Sequence, residues 1–122
     1  MTEPTTTIRN ITDIVWKELP GHFGGALTKP LVDQKADGAK KLRHAISVFA
    51  PMAYSARHTH AAQEQVFHVL EGEGLFEYGD QKQVLRTHDY VFIPPGVEHA
   101  ISNVGLGRLV FLVITSAPPE AA

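Results

Sequence analysis

At 122 residues and 13.4 kDa the chain is a single domain by size, long enough to bury a real core without covalent staples. A net charge of −2 and a pI near 6.4 give neither a nucleic-acid footprint nor an attraction to an anionic membrane. The absence of cysteine removes disulfides, thiolate catalysis and thiolate-bound zinc together, so imidazole, carboxylate and amide are the donors that remain.

The opening residues 1–7 are polar and contain Pro4, with neither the basic start nor the apolar core of a signal peptide. The end, 116–122, is of similar composition. Both are expected to be loose around one domain spanning 8–115. The longest useful apolar run, 109–114, is far shorter than the roughly 20 residues that cross a bilayer, so a cytoplasmic protein is expected.

Within the domain, residues 14–17 are expected to form a short edge strand, closed by Pro20-Gly21. Gly24-Gly25 opens a strand over 26–28, held to an edge position by Pro30, which cannot donate to a ladder. Asp37-Gly38 reads as a hairpin-type turn. Residues 42–49 alternate, with Leu42, His44, Ile46 and Val48 on one face and Arg43, Ala45, Ser47 and Phe49 on the other. Residues 66–71 are β-branched and aromatic, a strand whose two faces are both too apolar for alternation to choose the inner one. Residues 75–85 form a hairpin around Gly79-Asp80, and 90–93 a buried strand stopped by Pro94-Pro95-Gly96. A short strand follows His99 through Asn103, and 108–115 is the last. Many short strands, turn residues between them and no convincing helix of ten or more residues indicate an all-β sandwich or barrel.

The chemistry concentrates in 58–72. His58 and His60, two apart, leave an extended chain on the same face. Paired neutral imidazoles suit a divalent transition metal but hold it weakly without further donors. Glu64 or Gln65 lies just beyond, and His99 follows the proline turn.

These stretches resemble the two motifs of the cupin superfamily. The first has the form G, five residues, HxH, three or four residues, an acidic residue, six residues, G. Here it reads Met52, five residues, His58-Thr59-His60, four residues, Gln65, six residues, Gly72. The second, G, five residues, PxG, two residues, H, three residues, N, runs from His88 through Pro94-Pro95-Gly96 and His99 to Asn103. Met52 and His88 stand where the family has glycine, a departure affecting turn geometry more than chemistry. The glutamate ligand of the family falls on Gln65 counting back from Gly72, and on Glu64 counting forward from His60. The strand text after it favours Gln65, and both stay open.

The resemblance implies a double-stranded β-helix, or jelly-roll, barrel. It implies a divalent transition metal (iron, manganese, nickel or zinc) on His58, His60, His99 and Gln65, with Glu64 as the alternative to Gln65. Partners would be a small-molecule ligand and, since small cupins often pair through edge strands, a second copy of the chain; neither nucleic acid nor membrane is expected. Four neutral donors would leave the metal its full +2 charge, fit for Lewis-acid isomerase or lyase chemistry on an acid, sugar or enolisable carbonyl. A Glu64 donor would instead favour redox work with dioxygen. The alternative is a non-catalytic binding protein whose metal orders ligand or fold. Proton transfer would need a base, for which His44 and Tyr54 are candidates. Asn103 reads as structural, His68 and His88 as outward or exposed, and His22 has no motif support.

Overall fold

A computed structural model describes residues 4–116. The strands are β1 (His22–Phe23), β2 (Ala26–Val32), β3 (Leu42–Phe49), β4 (Tyr54–Ser55), β5 (Gln65–Glu71), β6 (Gly74–Tyr78), β7 (Gln81–Leu85), β8 (Tyr90–Ile93), β9 (His99–Asn103) and β10 (Leu109–Ser116). They form two five-stranded sheets, ordered β1-β4-β9-β6-β7 and β2-β3-β10-β5-β8. Every pairing is antiparallel, and the two inner faces enclose the core of a jelly-roll barrel.

Why these segments become strands follows from their alternation. Along β5, Gln65, Phe67 and Val69 are buried while Val66 and His68 are only half-buried, which answers the question the sequence left open. Packed inside are Phe49, Phe67, Phe76 and Phe111, with ring centroids 5.1 Å apart for Phe49–Phe111, 5.4 Å for Phe67–Phe111 and 5.9 Å for Phe67–Phe76. Ile101, Leu109 and Val69 fill the space beside them. Gly72 could carry no side chain: its φ is 87°, and a Cβ there would lie 2.3 Å from the Arg108 carbonyl oxygen.

Three expectations change. Residues 14–17 make no strand; a 3₁₀ turn at Ile11–Asp13 precedes a single bridge from Lys17 to Thr28. Asn10 caps that turn, accepting from Thr12 N–H, and this local bonding outcompetes an extended edge. The segment is then tied down by Lys29, whose Nζ donates to Ile11 O at 3.0 Å and sits 4.6 Å over the Trp16 ring. Between β2 and β3 lies a four-residue helix, α1 (Gln34–Asp37), capped by Asp33 and ended by Gly38 at φ 69°, in place of a simple tight turn. β8 is an edge strand, with Tyr90 71% and Phe92 54% exposed, so only Val91 and Ile93 turn inward.

Pro30 does lie on an edge strand, beside a bulge between Pro30 and Val32. Thr7 donates to Asp37 Oδ1 at 2.9 Å, and β10 runs through Ser116; residues 1–3 and 117–122 lie outside the described residues. Among the described residues no helix is long and apolar enough to cross a membrane.

Candidate metal centre

The two motifs meet through their backbones. His58 and His99 form an isolated antiparallel bridge, each N–H donating to the other's carbonyl at 3.0 Å. Gly96 N–H donates to His60 O at 2.8 Å, so the proline turn is fastened to the paired histidines. The stretch 58–60 lies outside the regular strands, and the bridge at His58 ties it to His99.

These contacts gather three rings. Centroids are 4.3 Å apart for His58–His99, 5.0 Å for His58–His60 and 5.7 Å for His60–His99. One ring nitrogen from each lies within 4.8 Å of the others, and among the described residues no carboxylate joins them. His99 is 1% exposed, packed against Phe67 and Phe76.

Gln65 completes the cluster and Glu64 does not. Gln65, 8% exposed, brings Oε1 within 3.0 Å of His99 Nε2, while its own Nε2 donates to Thr115 Oγ1 at 3.0 Å. Glu64 is exposed, its backbone N–H donating to Ser116 Oγ and its carbonyl accepting from Ser116 N–H. Successive residues of a strand face opposite ways, so only one of the pair can turn inward.

The donor chemistry fits a cation. His58 Nδ1 faces Ala56 O at 3.0 Å and His99 Nδ1 faces Val97 O at 2.9 Å. A carbonyl only accepts, so both Nδ1 atoms carry hydrogen and a neutral ring offers Nε2 as a bare lone pair. His60 Nε2 is buried with no partner. The His99 Nε2 lone pair thus faces another acceptor, the Gln65 oxygen. Protonation would reconcile them, but burial first, then the His58 and His60 charges, hold His99 below the usual imidazole range despite the Val97 carbonyl. His60 is lowered likewise by burial, then by His58 and Arg43, against the raising influence of the Gln65 amide. Lone pairs converging on a site that resists protons are what a divalent transition metal requires.

Beside the rings opens a cavity of about 740 Å³, walled by Phe49, Phe67, Phe111, Ile101 and Val113. Sequence reasoning missed two of its residues. His22, on β1, packs edge-on against Phe49 at 5.8 Å, and Arg43 enters from β3. Alternation had placed Arg43 on the face of Ser47 and Phe49, and their burial was the signal that could have found it. His44 also borders the cavity; Tyr54 is 46% exposed, its ring tilted against Phe23 at 5.2 Å. His68 and His88 lie outside, their rings 5.9 Å apart. Asn103 is structural: its Nδ2 donates to Phe49 O at 2.8 Å and to Gly107 O at 2.9 Å, and its Oδ1 accepts from Gly105 N–H.

Comparison with known proteins agrees with this architecture. Residues 45–115 match the Cupin domain family. An uncharacterized protein of Methanocaldococcus jannaschii is 33% identical over 61 residues, 50% of this chain and 49% of that protein. The oxalate-binding protein of Thermotoga maritima is 30% identical over 57 residues, 47% of each. The match thus spans about half the length of either relative. Among solved structures, the polyketide cyclase RemF from Streptomyces resistomycificus superposes with a TM-score of 0.83 at 21% identity, covering 96% of this chain and 83% of that one. A predicted oxalate decarboxylase from Thermotoga maritima superposes with a TM-score of 0.82 at 22% identity, covering 92% and 100%. At such identities these two structures speak for the fold alone. With the family match covering more than half of the sequence, the chain belongs to the cupin superfamily, in its cupin-2 type.

Proposed function

We propose that this protein is a metal-dependent cupin enzyme acting on a small oxygen-bearing molecule, an acid, sugar or enolisable carbonyl, by Lewis-acid chemistry. His58, His60, His99 and Gln65 would hold the ion. When bound, a divalent metal supplies stabilisation of negative charge developing on a substrate oxygen.

The observation that supports the reading is that the side chain brought beside His99 is an amide, Gln65, rather than a carboxylate. With no anionic donor beside it, a bound cation keeps its full charge next to a cavity with aromatic and aliphatic walls, where charge is weakly screened. That favours anionic oxygens over redox work at the metal. The chain's own residues contribute the rest. Phe49, Phe67 and Phe111 wall off the far side, while Thr115 Oγ1 accepts from Gln65 Nε2 and the amide oxygen is turned to His99.

A second reading is favoured by one relative, described as an oxalate-binding protein: a binding module without turnover. Elemental analysis of protein purified without added metal, followed by NMR of metal-replete protein in heavy water with a panel of keto, hydroxy and dicarboxylic acids and sugars, separates the two. The enzyme reading expects near-stoichiometric metal and at least one panel member that is consumed or exchanges its α-hydrogen. Bound metal with every member unchanged would leave the binding module, and metal-free protein that cannot be loaded would end both.

A further inference from the structure

Among the described residues three buried side-chain nitrogens lack a hydrogen-bond partner, namely His60 Nε2, His22 Nδ1 and Arg43 Nε, and all three residues line the one cavity. An unpaired buried polar atom is costly, and three in one place mark a site made for something polar. The metal reading accounts for His60. It leaves His22 and Arg43 unexplained.

Register shows why Arg43 is there. Arg43 pairs with Thr115 across β3 and β10, and Thr115 pairs with Gln65 across β10 and β5. One inner-face row therefore runs Arg43, Thr115, Gln65. With strands about 4.8 Å apart, the Arg43 and Gln65 backbones are about 10 Å from each other. Arg43 and Gln65 both line the cavity, so a molecule of a few carbons held by one lies within reach of the other. Among the described residues no carboxylate pairs with Arg43. The acid bordering the cavity, Asp33, is committed through Oδ1 to Ala36 N–H, capping α1; the other arginine there, Arg57, is bonded to Glu98 and Gly79. His22 faces the cavity from the opposite sheet, so the two groups approach one volume from two sides.

We propose that Arg43 and His22 form a carboxylate anchor, making the ligand a short acid with two oxygen functions: a carboxylate held by Arg43 and His22, and a second oxygen turned to the histidine cluster. The proposal rests on the metal reading above and narrows its substrate class. Arg43 suits the part, because the planar fork of a guanidinium matches a carboxylate with two parallel hydrogen bonds. The remaining cavity charge is positive, so a neutral sugar would leave the guanidinium unpaired.

Calorimetry tests the anchor, using oxalate, malonate, succinate and glutarate against the metal-loaded wild type and the Arg43→Met, Arg43→Lys and His22→Gln variants, with metal content measured in each. The hydroxy acid of each chain length and its amide, which share the second oxygen and differ at the carboxylate, are titrated in parallel. The best diacid should bind Arg43→Met about 10- to 100-fold more weakly than wild type at equal metal content, Arg43→Lys in between, and His22→Gln by a smaller factor. The hydroxy amide should bind wild type about 10- to 100-fold more weakly than the hydroxy acid. Equal diacid affinity in wild type and Arg43→Met, or no diacid binding by metal-loaded wild type, would overturn the anchor and leave the metal centre standing. Failure of wild type to take up metal would overturn both. The amide comparison needs no substitution, so equal affinity of the hydroxy acid and its amide would overturn the anchor even if Arg43→Met does not fold.

Discussion

The two ends of the barrel interior are built on the same strands and differ in what those strands turn inward. Along β5 the buried side chains pass from Gln65 to Phe67 to Val69; along β10, from Thr115 to Phe111 and Leu109; along β3, from the half-buried Arg43 to the buried Ser47 and Phe49. One end is polar, with lone pairs and a cation lacking partners, and the other is a packed aromatic and aliphatic plug. The plug supplies the rigidity and burial energy that let the polar end keep uncompensated groups in place. Substitutions at the two ends should therefore fail in different ways.

The largest effect belongs to the plug. Phe111→Ala, emptying a 2% exposed site, should cost about 3–5 kcal/mol in chemical denaturation, while molecules still folded keep their metal affinity. Parallel loss of both would blur the division. Next comes His58→Ala, a half-buried position where the fold should survive. Its metal affinity should drop by more than the roughly 10- to 100-fold typical of losing an outer-shell partner, with the β-sheet circular dichroism unchanged. Retained stoichiometric metal would count against the centre. Smaller still is the contrast between neighbours: Gln65→Ala should weaken metal binding by about tenfold and Glu64→Ala leave it unaltered in a competition titration, since only Gln65 faces in. Equal losses would break the parity argument.

The polar end also predicts a pH dependence of the metal-free protein. His22, His60 and His99 are all held below the ordinary value of 6.5, chiefly by burial. Below 6.5 the unfolded chain takes up protons that the folded chain resists. Their contribution to stability is thus whole above about 6.5 and is lost as pH falls towards the folded values. Thermal melts at a series of pH values should show Tm falling on that side, and a flat profile would contradict it. Metal uptake should weaken over the same range, because protons compete for the imidazoles.

The smallest prediction concerns turns away from both ends. Met52 at φ 72° and His88 at φ 70° occupy the left-handed region at the two positions where the family carries glycine. A side chain there costs about 1–2 kcal/mol, and glycine returns about 0.5–1 kcal/mol in chain entropy. Met52→Gly and His88→Gly should each stabilise by under about 1 kcal/mol without altering metal content. Destabilisation would mean that these side chains make contacts worth more than the strain.

Much of this was legible from residues alone, for a local reason. Alternation and turn residues give strands such as β3 and the Gly79-Asp80 hairpin, because side-chain direction on a strand repeats every two residues whatever lies beyond it. Spacing within the motifs put His58 and His60 on one side and made His99 the partner to seek. Composition confined the donors to imidazole, carboxylate and amide. Where local bonding competes with pairing, as at Asn10, sequence pattern misled; where a strand lies at the edge, as at Tyr90 and Phe92, apolar character did not mean burial.

Tertiary structure alone decided which face of β5 turns inward, and with it Gln65 over Glu64 as the residue beside His99. It also decided that Arg43 and His22 share a cavity with the histidine cluster. Those choices depend on cross-strand register, on which residue of β3 meets which of β10 and β5. Register is set by the packing of the whole barrel and leaves no mark in the spacing of residues along the chain.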